Sequence, residues 1–124
     1  MTRLGIYKES NLKNQVIDYL QILENGGYCY YERINSGELL VLNKDGTKRL
    51  VKLARDGTSD AMCVIYGRII FIELKSYSGK QTQNQKEFQK KVESVGGIYW
   101  LINDFDNFLN KINEVLYGRN RTTI

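Results

Sequence analysis

The chain has 124 residues, of which 42% are hydrophobic and 26% charged, with a formal net charge of +4; this is the profile of one ordinary globular domain with a mild basic excess. It has no apolar run of the about 20 residues that a membrane helix needs and no secretory leader, so we expect a cytoplasmic protein without a membrane partner. Because histidine is absent, Ser-His and Cys-His nucleophile pairs are excluded, and any metal would be held by oxygen ligands, which favours Mg²⁺ or Mn²⁺.

The first part of the chain predicts a helix followed by a strand. Apolar residues at a spacing of three to four indicate a helix from about Glu9 to Glu24, and Asn25-Gly26-Gly27 favours its end. The aromatic-rich run Tyr28–Ile34 is typical of a strand. This run contains Cys29, which we interpret, like Cys63 in a later apolar run, as an unpaired and small hydrophobic residue.

A basic hairpin is predicted next. Two apolar runs, 39–42 and 49–53, flank Asp45-Gly46, a dipeptide typical of tight hairpin turns. Cationic side chains crowd the segment 44–55, namely Lys44, Lys48, Arg49, Lys52 and Arg55. Such a stripe is typical of nucleic-acid binding, with Lys48, Arg49 and Lys52 as candidate DNA contacts, and it is equally compatible with a solvated hairpin face.

The second half of the chain predicts, in order, a hairpin of Asp60–Tyr66 and Ile69–Lys75, a helix that begins after Thr82, a strand at Ile98–Ile102 and a helix from about Asp104 to Tyr117. The apolar stripe of the first of these two helices is Phe88, Val92 and Val95. The whole element order favours a mixed sheet with helices packed against it.

Two opposite charges, Glu73 and Lys75, stand in an apolar strand. Desolvating a carboxylate or an ammonium is unfavourable unless the charge is compensated. Since strand side chains alternate, both residues project from the same face. A charged pair on a buried face is therefore either a structural ion pair or a functional site.

The length of the loop at Gly67 decides whether a second acid joins this face. A two-residue loop of Gly67 and Arg68 makes Asp60 diagonal to Glu73, and one of Tyr66 and Gly67 puts Asp60 directly opposite Glu73. A three-residue loop would turn Asp60 to the other face. We expect an even-length loop, which brings the two carboxylates within reach of one hard cation.

Together these residues can hold a divalent cation and a water molecule. Asp60 and Glu73 would anchor the metal, and the backbone carbonyl of Leu74 could add an oxygen ligand. Lys75 could orient the attacking water or stabilise the transition state. This is the minimum apparatus of a metal-dependent phosphodiesterase, and an ion pair of Glu73 with Lys75 is the structural alternative.

Further segments follow in a recognisable order from about Glu9 to Ile102: Glu9 at the start of the first helix, Arg33-Ile34-Asn35-Ser36-Gly37, Gly57-Thr58-Ser59-Asp60, Phe71-Ile72-Glu73-Leu74-Lys75, Gly79-Lys80-Gln81, Gln85 through Phe88, and Gly96-Gly97. In this order and spacing the chain resembles the PD-(D/E)XK nuclease superfamily, and more closely its virus-type replication-repair nuclease (VRR-Nuc) branch. Two departures are Ser59, where many members carry proline, and the insert from Glu38 to Arg55, whose length and charge vary in the family.

The resemblance implies a restriction-endonuclease-like α/β fold, with a mixed β-sheet core flanked by helices in the order α-β-β-β-α-β with an inserted hairpin, in a single domain of residues 1–124. It implies an Mg²⁺- or Mn²⁺-dependent DNA endonuclease of replication, recombination or repair, in a phage or bacterial cell. Short members of this branch are similar to homodimeric enzymes that cut branched DNA such as Holliday junctions. A two-fold axis suits a junction of near two-fold symmetry.

The resemblance also assigns roles to single residues. Glu9 becomes the acid that the first helix delivers to the metal, directly or through water, and Gln85 the helix glutamine beside the active site. The implied DNA contacts are Arg33, Asn35, Ser36 and Lys80, although Arg33 and Lys80 are equally compatible with solvated surface charges. From the residues alone, we favour for Glu9 a helix N-terminal acid stabilised by the dipole, and Gln85 can be an ordinary exposed helix position.

Aromatic residues are secondary candidates. Tyr28, Tyr30 and Tyr31 could stack on unpaired bases, although we favour sheet packing for at least two of them. Tyr7 and Trp100 are candidate exposed aromatics for a dimer interface.

Two other functional classes stay open. One is a catalytically inactive nucleic-acid-binding module of the same fold, and the other is a structural or partner-binding α/β protein in which Glu73 and Lys75 form an ion pair. Divalent-metal-dependent cleavage separates the nuclease from both. For the nuclease we expect Lys75→Ala or Asp60→Asn to abolish cleavage and to leave the fold intact.

Overall fold

The structure of the protein is a computed structural model that describes residues 9–34, 38–52, 54–76 and 78–122, including the side chains in these ranges except those of residues 9, 10, 38 and 119–122. These residues form three helices and six strands: α1 (Glu9–Asn25), β1 (Tyr30–Arg33), β2 (Glu38–Leu42), β3 (Lys48–Lys52), β4 (Ala61–Ile65), β5 (Arg68–Leu74), α2 (Gln83–Ser94), β6 (Ile98–Ile102) and α3 (Phe105–Thr122). The predicted mixed sheet with packed helices is confirmed. No helix among the described residues has the length and apolarity to cross a membrane.

The main sheet has four strands in the order β1-β4-β5-β6. β4 pairs antiparallel with both β1 and β5, whereas β5 and β6 are parallel. A parallel pair needs a crossover connection, and α2 is that connection between β5 and β6. The end of β5, the start of β4 and the start of α2 therefore meet at one end of the sheet, where the predicted site lies.

α1 and α3 cover one face of the main sheet and form the core with it. Alternate residues of β5, Ile70, Ile72 and Leu74, are fully buried among the apolar residues of both helices. On α3, Phe108 packs against Trp100 of β6 with ring centroids 6.5 Å apart. Since this face holds the core, the alternate positions of β5 are available for polar residues on the other face.

α2 covers that other face. Its Phe88 packs edge-to-face on Phe71 of β5, with ring centroids 5.3 Å apart, and lies 6.1 Å from the ring of Tyr99 on β6. Val95 was expected in the same apolar stripe, and this prediction is wrong, because Val95 follows the last residue of α2 and is 84% exposed. The turn at Gly96, with φ 87°, directs the chain back to β6 before Val95 can reach the sheet.

A two-residue turn of Tyr66-Gly67 joins β4 to β5. The ladder pairs Ile65 with Arg68 and Ala61 with Ile72, which leaves two residues in the loop. Both turn residues have positive φ, 52° and 79°, as a type I′ hairpin turn requires. The predicted even-length loop is confirmed, in the register that starts the loop at Tyr66.

β2 and β3 form a separate two-stranded ribbon. They pair from Glu38 opposite Lys52 to Leu42 opposite Lys48, around the predicted turn at Asp45-Gly46. The contacts of the ribbon are mostly between its own two strands. The basic insert is therefore a hairpin that stands beside the main sheet.

Both cysteines are free thiols, as predicted. Burial, with the nearby Glu24 carboxylate as a smaller cause, raises the pKa of the Cys29 thiol to about 11. Burial is also the main reason that the pKa of Cys63 rises to about 12. Both are core side chains in their protonated form at neutral pH.

Candidate functional site

The two predicted carboxylates lie across from each other at the end of β5. The register that pairs Ala61 with Ile72, continued by one residue, puts Asp60 directly opposite Glu73. The backbone N–H of Ile34 donates to the Asp60 carbonyl at 2.8 Å, so β1 holds this position from the other side. The strand geometry therefore brings the two acids to one face, as their sequence parity predicts.

Asp60 is fixed by one contact on each carboxylate oxygen. Its Oδ2 accepts a hydrogen bond of 2.7 Å from the backbone N–H of Leu74, and its Oδ1 lies 3.4 Å from Nζ of Lys13. The N–H and C=O groups of one strand residue point to the same side, so the Leu74 carbonyl is directed toward the β4 side as well. A backbone oxygen and the Asp60 carboxylate thus lie on the same side of β5.

Glu73 is the most buried acidic residue among those described at this end, with only 2% of the residue exposed. Its Oε2 accepts a hydrogen bond of 2.9 Å from Nε2 of Gln85 and lies 3.6 Å from Nζ of Lys75. A carboxylate removed from water needs such partners, since isolated burial of the charge is strongly unfavourable. The expected Glu73–Lys75 pair is present, and it includes the glutamine of α2.

Gln85 is positioned by the cap of its own helix. The hydroxyl of Thr82 accepts from the backbone N–H of Gln85, and the side-chain oxygen of Gln85 accepts from the backbone N–H of Thr82 at 2.9 Å. This reciprocal capping box confirms the predicted N-cap. It also leaves the amide nitrogen of Gln85 aimed at Glu73, so the alternative of an ordinary exposed helix position is wrong.

The loop before Asp60 is anchored on the same helix end. Gly57 has φ +84°, and a Cβ placed on it would lie 2.3 Å from the carbonyl oxygen of Asn84. Only glycine permits both the positive φ and this close approach of backbone to backbone. Two residues on, Ser59 is fully buried, and its hydroxyl donates to the Ala61 carbonyl.

Tyr99 borders the carboxylates from β6. Its hydroxyl accepts a 3.2 Å hydrogen bond from Nε2 of Gln81. Burial, and then the negative charges of Glu73 and Asp60, raise the pKa of Tyr99 to about 12, although the bond from Gln81 opposes the rise. By its pairing with Phe71, Tyr99 lies on the same face of the sheet as Glu73.

The structure brings Asp60, Glu73, Leu74, Lys75 and Gln85 together. The other predicted site residues lie away from this cluster or outside the described residues. Arg33 pairs with Ala61, which places it on the sheet face opposite the acids, and Lys80 is exposed on the loop before α2. Lys48, Arg49 and Lys52 lie on the β2–β3 hairpin, and the described part of the chain does not include Asn35, Ser36 or the side chain of Glu9.

Lys13 is a site residue that the sequence interpretation missed. It lies on α1 one helical turn after Glu9, so both positions share one helix face. That spacing was a usable signal. The sequence does not indicate which end of the sheet the first turn of α1 packs against. Only the packed fold brings Lys13 to Asp60.

Two predictions about aromatic residues are corrected. Trp100 is 8% exposed in the core and is not an exposed interface residue. Tyr28 and Tyr30 are 58% and 48% exposed, so sheet packing of at least two of the three tyrosines is wrong, and only Tyr31 packs against the core. Tyr30 hydrogen-bonds to the carboxylate of Glu32 on the edge strand instead. Tyr7 lies outside the described residues.

The donor set fits a hard cation in type and is incomplete in number. Asp60, Glu73 and the Leu74 carbonyl supply oxygen donors, which Mg²⁺ and Mn²⁺ prefer. Among the residues that the structure describes, no group of three His, Cys, Asp or Glu side chains could hold a metal. A third acid from α1 would be Glu9, whose side chain is not described.

A separate groove of about 490 Å³ lies at the other end of β5, between the β4–β5 turn and the end of α2. Its lining is mainly apolar, with Ile69, Val92 and Val95, and its one ionisable residue among those described is Arg68. None of the predicted site residues lines it.

Comparison with known proteins adds no relative: no model of a known protein family matches the chain, and no curated protein matches it at a significant level.

Proposed function

We propose that the protein is a divalent-metal-dependent endonuclease that hydrolyses phosphodiester bonds in DNA, with a restriction-endonuclease-like fold of the PD-(D/E)XK, VRR-Nuc type. One observation carries the proposal: Asp60 and Glu73 stand opposite each other on one face, with Lys75 and Gln85 on Glu73. The ordered motifs of the sequence, from Glu9 to Gly97, support it independently.

The arrangement is unusual for a purely structural cluster. Like charges directly opposite each other on a strand ladder are destabilising, and here one of them is almost completely buried. The capping box at Thr82 and the close approach of Gly57 to Asn84 also hold the neighbouring helix and loop in place. Two opposed acids that need neighbouring cations and a positioned loop and helix end to hold them together are typical of a functional site.

Each residue has a distinct part in the proposed reaction. Asp60, Glu73 and the Leu74 carbonyl would hold the cation, with Glu9 as the further acid implied by the resemblance. When bound, the cation lowers the pKa of a coordinated water and neutralises negative charge on the phosphate. Lys75, mostly buried beside Glu73, would donate hydrogen bonds that orient the attacking water or stabilise the negative charge of the phosphate oxygens in the transition state. Gln85 holds Glu73 in the orientation that this requires.

Branched DNA is the proposed substrate class and a homodimer the proposed assembly. Both come from the resemblance, in which short members act as pairs on junctions. On this chain the support is electrostatic, because the excess of cations is concentrated on the β2–β3 hairpin that leads into Asp60.

A nucleic-acid-binding module without cleavage is the second candidate. One observation favours it: Asp60 already has Lys13 at 3.4 Å, and Glu73 has Lys75 at 3.6 Å, so each acid is matched to a cation of the chain itself. In that case the four charges form an electroneutral structural cluster. DNA binding would then persist in chelator, and no metal would produce a cut.

Cleavage of end-labelled substrates by Asp60→Asn decides between the two. Asparagine keeps the size of the side chain and an oxygen that can accept from the Leu74 N–H, so the fold should persist. Asp56→Asn is the matched control, since Asp56 is a nearby exposed aspartate that pairs with Lys52. The substrates are a linear duplex, a flap, a single strand and a four-way junction, each with Mg²⁺, Mn²⁺ or chelator.

We expect metal-dependent cleavage by the wild type and by Asp56→Asn, and a rate at least about 100-fold lower for Asp60→Asn. Wild-type protein that binds DNA but yields no product with either metal would establish the binding module instead. Equal cleavage rates for Asp60→Asn and the wild type would remove Asp60 from the site.

A further inference from the structure

Three of the four exposed leucines of the β2–β3 hairpin share one of its faces, and Leu39, which is 54% exposed, lies on the other. The register pairs Leu40 with Leu50 and Leu42 with Lys48, and side chains of paired residues point to the same side. Leu40, Leu42 and Leu50 are 56%, 68% and 64% exposed. We call these three residues the leucine face. A contiguous exposed apolar patch of this kind marks a binding surface rather than ordinary surface variation.

Cations surround the leucine face. Lys48 and Lys52 share it by register, and Arg49 lies on the reverse side of the same strand. The one acid in the turn, Asp45, is engaged by Thr47, whose backbone N–H and hydroxyl both donate to it. The register also places Glu38 on this face, opposite Lys52, and Lys52 pairs with Asp56 at 3.0 Å. Residues 38–52 still hold four cations against two acids, so the hairpin has a net positive charge.

The hairpin is rooted at the candidate active site. It is inserted between Ile34 and the loop to Asp60, and the N–H of Ile34 bonds to the carbonyl of Asp60. Few residues therefore separate the hairpin along the chain from the strand end that carries Asp60.

The net positive charge of the hairpin indicates which kind of partner binds the leucine face. Packing two copies through this hairpin would bring together two segments that each carry four cations against two acids, which is repulsive at a desolvated interface. A nucleic acid satisfies both features, because phosphates pair with the lysines and arginine while unstacked bases offer apolar faces to leucines. Basic β-ribbons and apolar wedge residues are both known means of holding deformed DNA.

We propose that the leucine face is a wedge that contacts unstacked base pairs at a branch or kink, while Lys48, Arg49 and Lys52 hold the flanking phosphates. This rests on the proposed function, because it names how the same enzyme would select branched substrates. It makes the leucines specificity residues, distinct from the cations, which act on any DNA.

The test is binding in chelator, where no cleavage takes place, of a four-way junction and a linear duplex of the same length and composition. The variants are Leu42→Ser with Leu50→Ser, Lys48→Gln with Arg49→Gln, and the control Val95→Ser, which removes an 84% exposed apolar residue beyond the end of α2. A 2-aminopurine at the branch point reports base unstacking by its fluorescence.

We expect the double leucine variant to lose at least about tenfold in junction affinity with duplex affinity unchanged within about twofold, and to lose the fluorescence increase. The double cation variant should weaken binding to both DNAs and lower the slope of log affinity against log salt by about 2. Val95→Ser should bind as the wild type does.

Two results would overturn the wedge. One is wild-type junction affinity in the double leucine variant. The other is a halved mass of that variant in light scattering, which would assign the leucine face to a second copy. Absence of metal-dependent cleavage by the wild type would refute the nuclease proposal alone, since the binding comparison is made without metal.

Discussion

Charged side chains at the end of β5 are largely buried and paired, whereas even the leucines of the β2–β3 hairpin are exposed. At the end of β5 a carboxylate with 2% exposure is enclosed by a lysine and a glutamine, and the neighbouring aspartate has a contact on each oxygen. On the hairpin, leucines that could have formed a core are more than half exposed, and cations face solvent.

The difference separates two kinds of functional surface. The acidic site is organised before any ligand arrives, because burial and hydrogen bonds fix its groups. The hairpin is an isolated two-stranded ribbon, an element of marginal stability on its own, which gains most from a partner. Mutations should therefore affect folding at the first region and binding at the second.

Loss of a lysine should show the largest contrast in folding. Lys75→Ala removes the nearest described cation from buried Glu73 and should lower the free energy of unfolding by about 4 kcal/mol, although Gln85 still donates to the acid. Lys48→Ala, on the exposed hairpin, should leave it unchanged within error. Urea unfolding followed by circular dichroism measures both.

This result would change the simple expectation that Lys75→Ala leaves the fold intact. It also explains why Asp60→Asn is the better test of catalysis. Equal stability of the Lys75→Ala and wild-type proteins would mean that Glu73 does not carry a buried charge.

Two glycines of similar backbone conformation give the next contrast. Gly57, φ +84°, contacts the Asn84 carbonyl, whereas Gly46 in the hairpin turn, φ +90°, has open space around it. Gly46→Ala should cost only the strain of a positive φ, about 1 kcal/mol, while Gly57→Ala adds a steric conflict and should cost about 3 kcal/mol. Thermal and chemical unfolding of the pair checks the difference, and similar losses would show that the loop before Asp60 is not anchored on α2.

A further contrast concerns pH dependence. Tyr99 has its pKa raised from 10.0 to about 12 in the folded chain, mainly by burial. Below pH 10 both states keep the proton; above it the unfolded chain loses the proton first, so the free energy of unfolding falls as the pH rises from 10 to about 12. Tyr99→Phe should reduce this fall in the free energy of unfolding above pH 10. An unchanged fall would show that the Tyr99 phenol is exposed to water in the folded protein.

In the hairpin turn, the pKa of Asp45 is shifted in the opposite direction. Hydrogen bonds from Thr47 lower the pKa of the exposed Asp45 carboxyl below its ordinary value of 3.8. Its contribution is therefore present above that value and is lost as the pH falls through the lowered pKa. Alkaline pH therefore lowers the free energy of unfolding through Tyr99, and acidic pH lowers it through Asp45.

Local signals predicted most of the elements and the face shared by the acids. Periodicity placed α1 within one residue at its end and β6 at its observed bounds, and Thr82 was identified as a cap. The two possible registers at Gly67 could not be separated, because the choice depends on Tyr66 adopting a positive φ, which is rare for a residue with a Cβ.

The failures share a physical cause, which is that packing between distant segments decides exposure. The run Leu39–Leu42 resembles a core strand, yet its hairpin leaves three of these residues more than half exposed. Trp100 could not be assigned to a face until α3 was known to cover it. Lys13 likewise required the contact of α1 with the end of β5.

A titration of Mn²⁺ into the protein, followed by calorimetry, tests the central claim most directly, because it asks whether the Asp60–Glu73 face is a cation site at all. We predict saturable binding by the wild type and by Asp56→Asn, and an affinity at least about tenfold lower for Asp60→Asn. No saturable binding by the wild type, or equal binding by Asp60→Asn, would contradict the account.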